Sequence, residues 1–225
     1  MVVAASKTDA QIKKDVLQEI AWDPRVRETE VGVQVTDGVV TLVGTVDHHA
    51  KRLAAADAAH RVAGVLDVAN DLVVKLPGSA SRNDTEIAEA IRHALRWDAF
   101  IPEASIRTTV ASGIVTLEGS VPTWTDREEA GNVVSRLAGV AGIVNKLAVS
   151  APAADSTKIH DAIESALERR AEREARRISV AVSDGVVTLG GTVRSWGERR
   201  AVERAAGFAP GVKRIDSRLV IDPYS

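Results

Sequence analysis

The chain has no cysteine among its 225 residues. Disulfides, thiolate metal sites and cysteine redox chemistry are therefore excluded, and every small core must be held by packing alone. Aromatic residues are scarce, with four Trp, one Tyr and two Phe, so the cores are built from small and β-branched side chains. No apolar stretch approaches the ~18 residues that would span a bilayer, so no transmembrane segment is expected. Neither sign of charge dominates: 29 basic against 31 acidic residues leave a net charge of −2. That balance offers no overall attraction for nucleic acid, which is not expected as a partner, and leaves binding to an anionic surface to a local patch. The segment Met1-Val-Val-Ala-Ala-Ser-Lys7 has a short apolar run with no basic residue before it. That is unlike a secretory signal, and a soluble cytoplasmic protein is the expectation.

What the chain does have is an internal repeat. Asp37-Gly-Val-Val-Thr-Leu-Val-Gly-Thr-Val46, Ser112-Gly-Ile-Val-Thr-Leu-Glu-Gly-Ser-Val121 and Asp184-Gly-Val-Val-Thr-Leu-Gly-Gly-Thr-Val193 are one element in three copies. The glycines keep register: Gly38, Gly44 and Gly64 recur as Gly113, Gly119 and Gly139 and as Gly185, Gly191 and Gly211. Upstream of each copy runs an apolar strip at intervals of four: Ile12, Val16, Ile20; Ile87, Ile91, Leu95; Ile159, Ile163, Leu167. This is the face of a helix, and Asp9, Asp84 and Ser156 are placed to cap it. Two alternating runs joined by Asp-Gly or Ser-Gly then read as a hairpin. An alanine-rich helix follows, expected over 50–63, 126–138 and 197–208, and an apolar run closes the unit as a third strand.

The fold class expected is therefore α+β: three tandem αββαβ units, each a three-stranded mixed sheet with two helices on one face. The domains are expected at residues 1–76, 77–150 and 151–225, with Pro77-Gly-Ser-Ala-Ser81 and Ala151-Pro-Ala-Ala-Asp155 as linkers. The crossover into the third strand should be right-handed. The sheet face opposite the helices needs a cover, and the units are expected to supply part of it for one another. Gly38, Gly113 and Gly185 are expected to adopt positive φ in the hairpin turns, and Gly64, Gly139 and Gly211 to terminate the second helices.

The run Gly64-Val-Leu-Asp-Val-Ala-Asn-Asp-Leu72, with the helix and glycine hairpin before it, resembles the BON domain, a module named for bacterial osmotically induced and nodulation proteins. The resemblance covers nearly the whole chain three times over. The second unit repeats it with Gly139-Val140 and Asn145-Lys146-Leu147, while the third has Ser217 in place of the asparagine. The resemblance implies a non-catalytic module without cofactor, whose partner is an anionic phospholipid surface in envelope proteins or potassium ion in a cytoplasmic relative. A protein-interaction scaffold is the third alternative.

Candidate ligand contacts follow from the repeat. Trp124 and Trp196 occupy one repeat position at the strand-to-helix junction, where the first unit has His49. With Arg127, and with Arg199 and Arg200, they form a pair of aromatic and cationic corners suited to a lipid interface; the alternative is that each ring seals packing between units. Trp22 and Trp97 end the first helices and are expected to close the cores. The third unit alone carries a cationic surplus, 13 basic against 11 acidic residues, much of it in Arg169-Arg-Ala-Glu-Arg-Glu-Ala-Arg-Arg177. The five histidines do not repeat in register, so no metal site is expected. Gly139-Val-Ala-Gly142 resembles the loop of an RNA-binding KH fold, but it stands between helix and strand and in one unit alone. No catalytic motif is present, and an enzyme is not expected.

Overall fold

The structure is a computed structural model that describes residues 7–76, 82–99, 101–152, 155–170 and 178–223. The segments 77–81 and 171–177, which hold the first linker and most of the arginine run, lie outside the described residues.

The first unit runs α1 (Asp9–Trp22), β1 (Val31–Thr36), β2 (Val39–Val46), α2 (His49–His60), β3 (Asp67–Val74). Its helix α1 starts at a capping box that lies one residue earlier than expected. The Thr8 hydroxyl accepts from the Gln11 amide at 3.3 Å, and the Gln11 side-chain carbonyl accepts from the Thr8 amide at 2.9 Å. Strands β1 and β2 pair antiparallel from Val31↔Gly44 to Thr36↔Val39, and β2 and β3 pair parallel from Val39↔Asp67 to Val46↔Val74. The sheet is thus mixed, in the order β1-β2-β3.

The second unit repeats the plan: α3 (Asp84–Trp97), β4 (Ile106–Ala111), β5 (Ile114–Val121), α4 (Trp124–Ser135), β6 (Gly142–Asn145), β7 (Ala148–Val149). Its third strand is split: β6 and β7 both pair parallel to β5, on either side of Lys146 and Leu147. The third unit comprises α5 (Ser156–Arg170), β8 (Ile178–Ser183), β9 (Val186–Val193), α6 (Trp196–Gly207) and β10 (Arg214–Ile221), with β9 central.

Both helices of a unit cover one sheet face. In the first, Ile12, Val16 and Ile20 meet Val31, Val33, Val40, Leu42 and Leu72, while Ala54, Ala55, Ala58 and Ala59 bring α2 close against the sheet. Each large apolar side chain buried this way contributes about 1.5–3 kcal/mol, so these few rows carry the domain. On the opposite face Val73, Ile114, Val144 and Val220 are 55%, 48%, 43% and 62% exposed.

The three hairpins turn on two residues with positive φ, Asp37-Gly38, Ser112-Gly113 and Asp184-Gly185. That is the I′ geometry whose twist matches paired strands. Gly64 and Gly139 have positive φ but do not end their helices: α2 and α4 stop at caps Arg61 and Arg136, three residues earlier. The glycines instead let the loop close on the first helix, over Ile12 and Ile87.

Gly44 and Gly119 answer a tighter constraint. Their φ values are 136° and 127°, and an added Cβ would overlap the carbonyl oxygens of Glu30 and Ser105. We expect Gly119→Ala to destabilise the second unit by at least about 1–3 kcal/mol, the cost of strained backbone alone. Gly142→Ala, whose Cβ would meet only Ile114 at 3.9 Å, should be near neutral; urea titrations of the two variants make the comparison.

Candidate functional site

The chain forms two compact units, residues 1–80 with 193–199 and 221–225, and residues 81–192 with 200–220. Each contains one of the two corner tryptophans in a packed setting. In the first, the Trp196 indole stacks on His60 with centroids 4.2 Å apart and donates from Nε1 to the Leu66 carbonyl at 3.2 Å, with Arg199 4.8 Å from its ring. In the second, Trp124 lies against Gly207 of α6, so closely that a Cβ there would overlap the ring, and Arg127 sits 5.0 Å from its centroid. His49, at the same repeat position, is half-buried at the start of α2. Arg200 is exposed, and its carbonyl accepts from Arg204 at 3.3 Å.

Arg127 has a second task that the sequence pattern does not reveal by itself. Its Nη2 donates to the Asn145 carbonyl at 3.0 Å and its Nε to that of Leu147 at 3.1 Å, while Asn145 Nδ2 donates to the Arg127 carbonyl at 2.8 Å. Arg52 and Asn70 make the same reciprocal pair, at 2.8 Å in both directions. The asparagine of the Gly-Val-x-x-Val-x-Asn-x-Leu signature is thus a clamp between the second helix and the third strand. Both pairs are eighteen residues apart, and that constant spacing is the signal through which the sequence could have disclosed them. In the third unit Arg199 keeps the repeat position and Ser217 replaces the asparagine. Asn145→Ala should cost about 1–3 kcal/mol, because it strips a partner from half-buried polar groups; thermal melts of the variant measure it.

The expectation for Trp22 and Trp97 is overturned. They are 85% and 83% exposed, the two most exposed large apolar side chains among the described residues. The helical strips explain this. Ile12, Val16 and Ile20 are the buried face of α1, and a residue two positions beyond Ile20 is turned by about 200° from it. Trp97 stands in the same relation to Leu95, which is 1% exposed.

The base beneath Trp22 is fixed by charge. Asp23, 5% exposed, accepts from Arg25 Nη2 at 2.7 Å and from Arg61 Nη2 at 2.9 Å, and Arg61 also pairs with Glu19. The Arg25 hydrogen bond above all, with that of Arg61, holds the Asp23 carboxyl well below the usual carboxylate range against the upward push of burial. Asp47 is lowered to about 2: burial raises it, but Lys51 and His48 outweigh that. Because the Asp23 depression belongs to the folded state, it adds stability above the unfolded carboxylate value of about 3.9 and loses it as pH falls. Asp23→Asn should therefore cost about 2 kcal/mol near neutral pH, with a gap to wild type that narrows below about pH 3; urea denaturation across that range tests it.

Helix α3 carries its tryptophan beside cations. Arg92, His93 and Arg96 are exposed and, with Glu89, line an open cleft of about 270 Å³. Arg96 pairs with Glu103 at 3.6 Å. A second cleft of about 370 Å³ lies at the start of α1, among Lys7, Asp9, Asp37, Gly38 and Leu66. Of its two carboxylates, that of Asp9 is engaged: it accepts from the amides of Asp37 and Gly38 at 2.9 and 3.0 Å. Among the described residues no three His, Asp or Glu side chains gather as metal ligands, and no helix is long and apolar enough to cross a membrane.

Three repeats of helix, I′ hairpin, helix and parallel third strand, two of them locked by an arginine–asparagine clamp, match the model of one known domain at residues 8–75, 83–151 and 155–223. The chain belongs to the BON domain family. It is 26% identical over 143 residues to the osmotically-inducible protein Y of Escherichia coli K12, covering 62% of this chain and 71% of that protein. Two structures of CdsD, a structural protein of the type III secretion system of Chlamydia trachomatis, align over 93% of the chain. They cover 91% and 96% of the CdsD chains at 14% and 13% identity, each with a TM-score of 0.27. In BON terms, the exposed tryptophans close the first helices of domains one and two.

Proposed function

We propose that this protein is a non-catalytic, stress-related module that binds peripherally to anionic phospholipid, and that Trp22 and Trp97 are its points of entry into the bilayer surface. The observation that carries the reading is the exposure of both indoles, 85% and 83%, at one repeat position. An exposed indole in register in two domains has no packing role, and an amphipathic ring at a rigid helix end suits the boundary between headgroups and acyl chains. Membership of the BON family, for which phospholipid binding is the expected activity, supports it. Likeness to an osmotically-inducible protein supports a role in osmotic stress.

The corner residues Trp124, Arg127, Trp196, Arg199 and Arg200 enter this reading as supports. Four of them are occupied with packing, clamp or stacking contacts.

Inserting roughly half of an indole's 150–250 Å² at about 25 cal/mol per Å² yields about 2–3 kcal/mol. Trp22→Ala and Trp97→Ala should therefore each weaken binding to phosphatidylglycerol-containing vesicles about tenfold or more in flotation assays, with unchanged circular dichroism. Wild-type binding that survives both substitutions together would reject the reading.

A further inference from the structure

Trp124 and Trp196 make one kind of contact twice. Each is the first residue of the second helix in its repeat, and each lies against the last residue of a second helix elsewhere. Trp124 meets Gly207, which ends α6, and Trp196 meets His60, which ends α2. The two sockets differ in kind: at Gly207 a methyl group would overlap the ring, so only a bare backbone admits it, while His60 offers a flat face stacked at 4.2 Å. The second contact is also pinned by the indole N–H, which bonds the Leu66 carbonyl at 3.2 Å. Both contacts involve the third repeat. Its corner, Val193–Arg199, is compact with the first repeat, and Arg200–Val220 with the second.

That same repeat lacks the fasteners its neighbours use internally. Asp9 and Asp84 each spend two carboxylate oxygens on two amides of the hairpin turn, whereas Ser156 brings a single oxygen to that position. Asn70 and Asn145 clamp the third strand to Arg52 and Arg127, and Ser217 stands in their place. The Asp23–Arg61 pair that locks the base of the first repeat has Arg170 and Phe208 at its two positions in the third. A phenyl ring cannot neutralise a charge, and that of Phe208 is 64% exposed.

We propose that the third repeat is held folded by its neighbours through the two tryptophan docks, and is the part of the chain that opens first when either dock is lost. Trp124 and Trp196 are docking residues, and the partner each fits is the end of a second helix on another repeat. The third repeat, which has Arg169 where the others carry an exposed tryptophan, thereby has a fastening task. That assignment stands whether or not the chain meets a bilayer.

Hydrogen–deuterium exchange of the full chain, resolved by repeat, reads local opening directly. Trp124→Ala lies in the second repeat, yet it should speed exchange of the β8, β9 and β10 amides about tenfold or more, the factor set by losing a packed indole. The β4 and β5 amides should stay within about twofold, as expected of sites that do not share the contact. Trp196→Ala should likewise loosen the third repeat and spare β1 and β2. Gly207→Ala, which drives a methyl into the Trp124 ring, should reproduce the Trp124→Ala pattern from the other side. Asn145→Ala, which breaks a clamp inside the second repeat, should loosen that repeat and spare the third. The double variant Ser156→Asp/Ser217→Asn returns two fasteners, and it should slow third-repeat exchange and blunt the effect of Trp196→Ala. Faster exchange confined to the second repeat in Trp124→Ala overturns the dock, as does an unchanged third repeat in both tryptophan variants. An equal response of all three repeats overturns the order of opening. A double variant that leaves third-repeat exchange and the Trp196→Ala effect at their wild-type values overturns the claim that this stability is supplied by the neighbours.

Discussion

A carboxylate that grips a hairpin turn sets the geometry on which the rest depends. Asp9 accepts from both amides of the Asp37-Gly38 turn, and Asp84 accepts from Ser112 and Gly113 at 2.9 and 3.0 Å. The bond fixes the first turn of α1 or α3 to one end of the sheet. Fourteen helical residues then carry the chain about 20 Å to the other end, where the tryptophan emerges. A helix pinned at its start and buried along one strip has little freedom in where it delivers its last residue. The indole is thereby displayed from a rigid element, so covering it costs little ordering entropy.

The third repeat departs from this scheme at the positions that matter most. Ser156 stands where Asp9 and Asp84 stand, Ser217 where Asn70 and Asn145 stand, and Arg169 where the exposed tryptophans stand. Asn145 donates from Nδ2 to the Arg127 carbonyl and accepts at Oδ1 from the Leu147 amide, two separate atoms where Ser217 has a single oxygen on a shorter side chain. Arg199, at the position of the clamp arginines, lies over the Trp196 ring. The domain that composition singles out for its surplus of arginine is the one that has exchanged the fastening residues its two neighbours share.

The repeat register is legible because glycine constraints are steric: positive φ favours glycine, a carbonyl where a Cβ would stand demands it, and all nine repeat glycines show positive φ. The hairpins and apolar strips were legible for the same local reasons. The caps were misplaced by one residue because Thr8 and Asp9, or Asn83 and Asp84, are both good caps in isolation. Only tertiary structure shows that the second of each pair is engaged by the hairpin. Residue type alone places Trp22 and Trp97 in the core, whereas their angular distance from Ile20 and Leu95 sets them off the buried strip. The Arg52–Asn70 clamp rests on a contact between a helix and a strand, which periodicity does not encode.

The sheet order leaves each domain with unpaired rims, β1 and β3 in the first and β4 with the broken β6–β7 in the second. Such rims invite a foreign strand, the first step toward fibrous aggregates. Here they are guarded. Asp67 and Asp71 stand exposed along β3, so a strand adding there would meet like charges, while β10 carries Arg214 and Arg218 on either side of Asp216, which pairs with Arg218 at 2.8 Å. In the second domain the interruption at Lys146 and Leu147 shortens the rim to four residues and two. At high concentration the chain would keep its colloidal stability through these few charges, independently of anything its tryptophans bind.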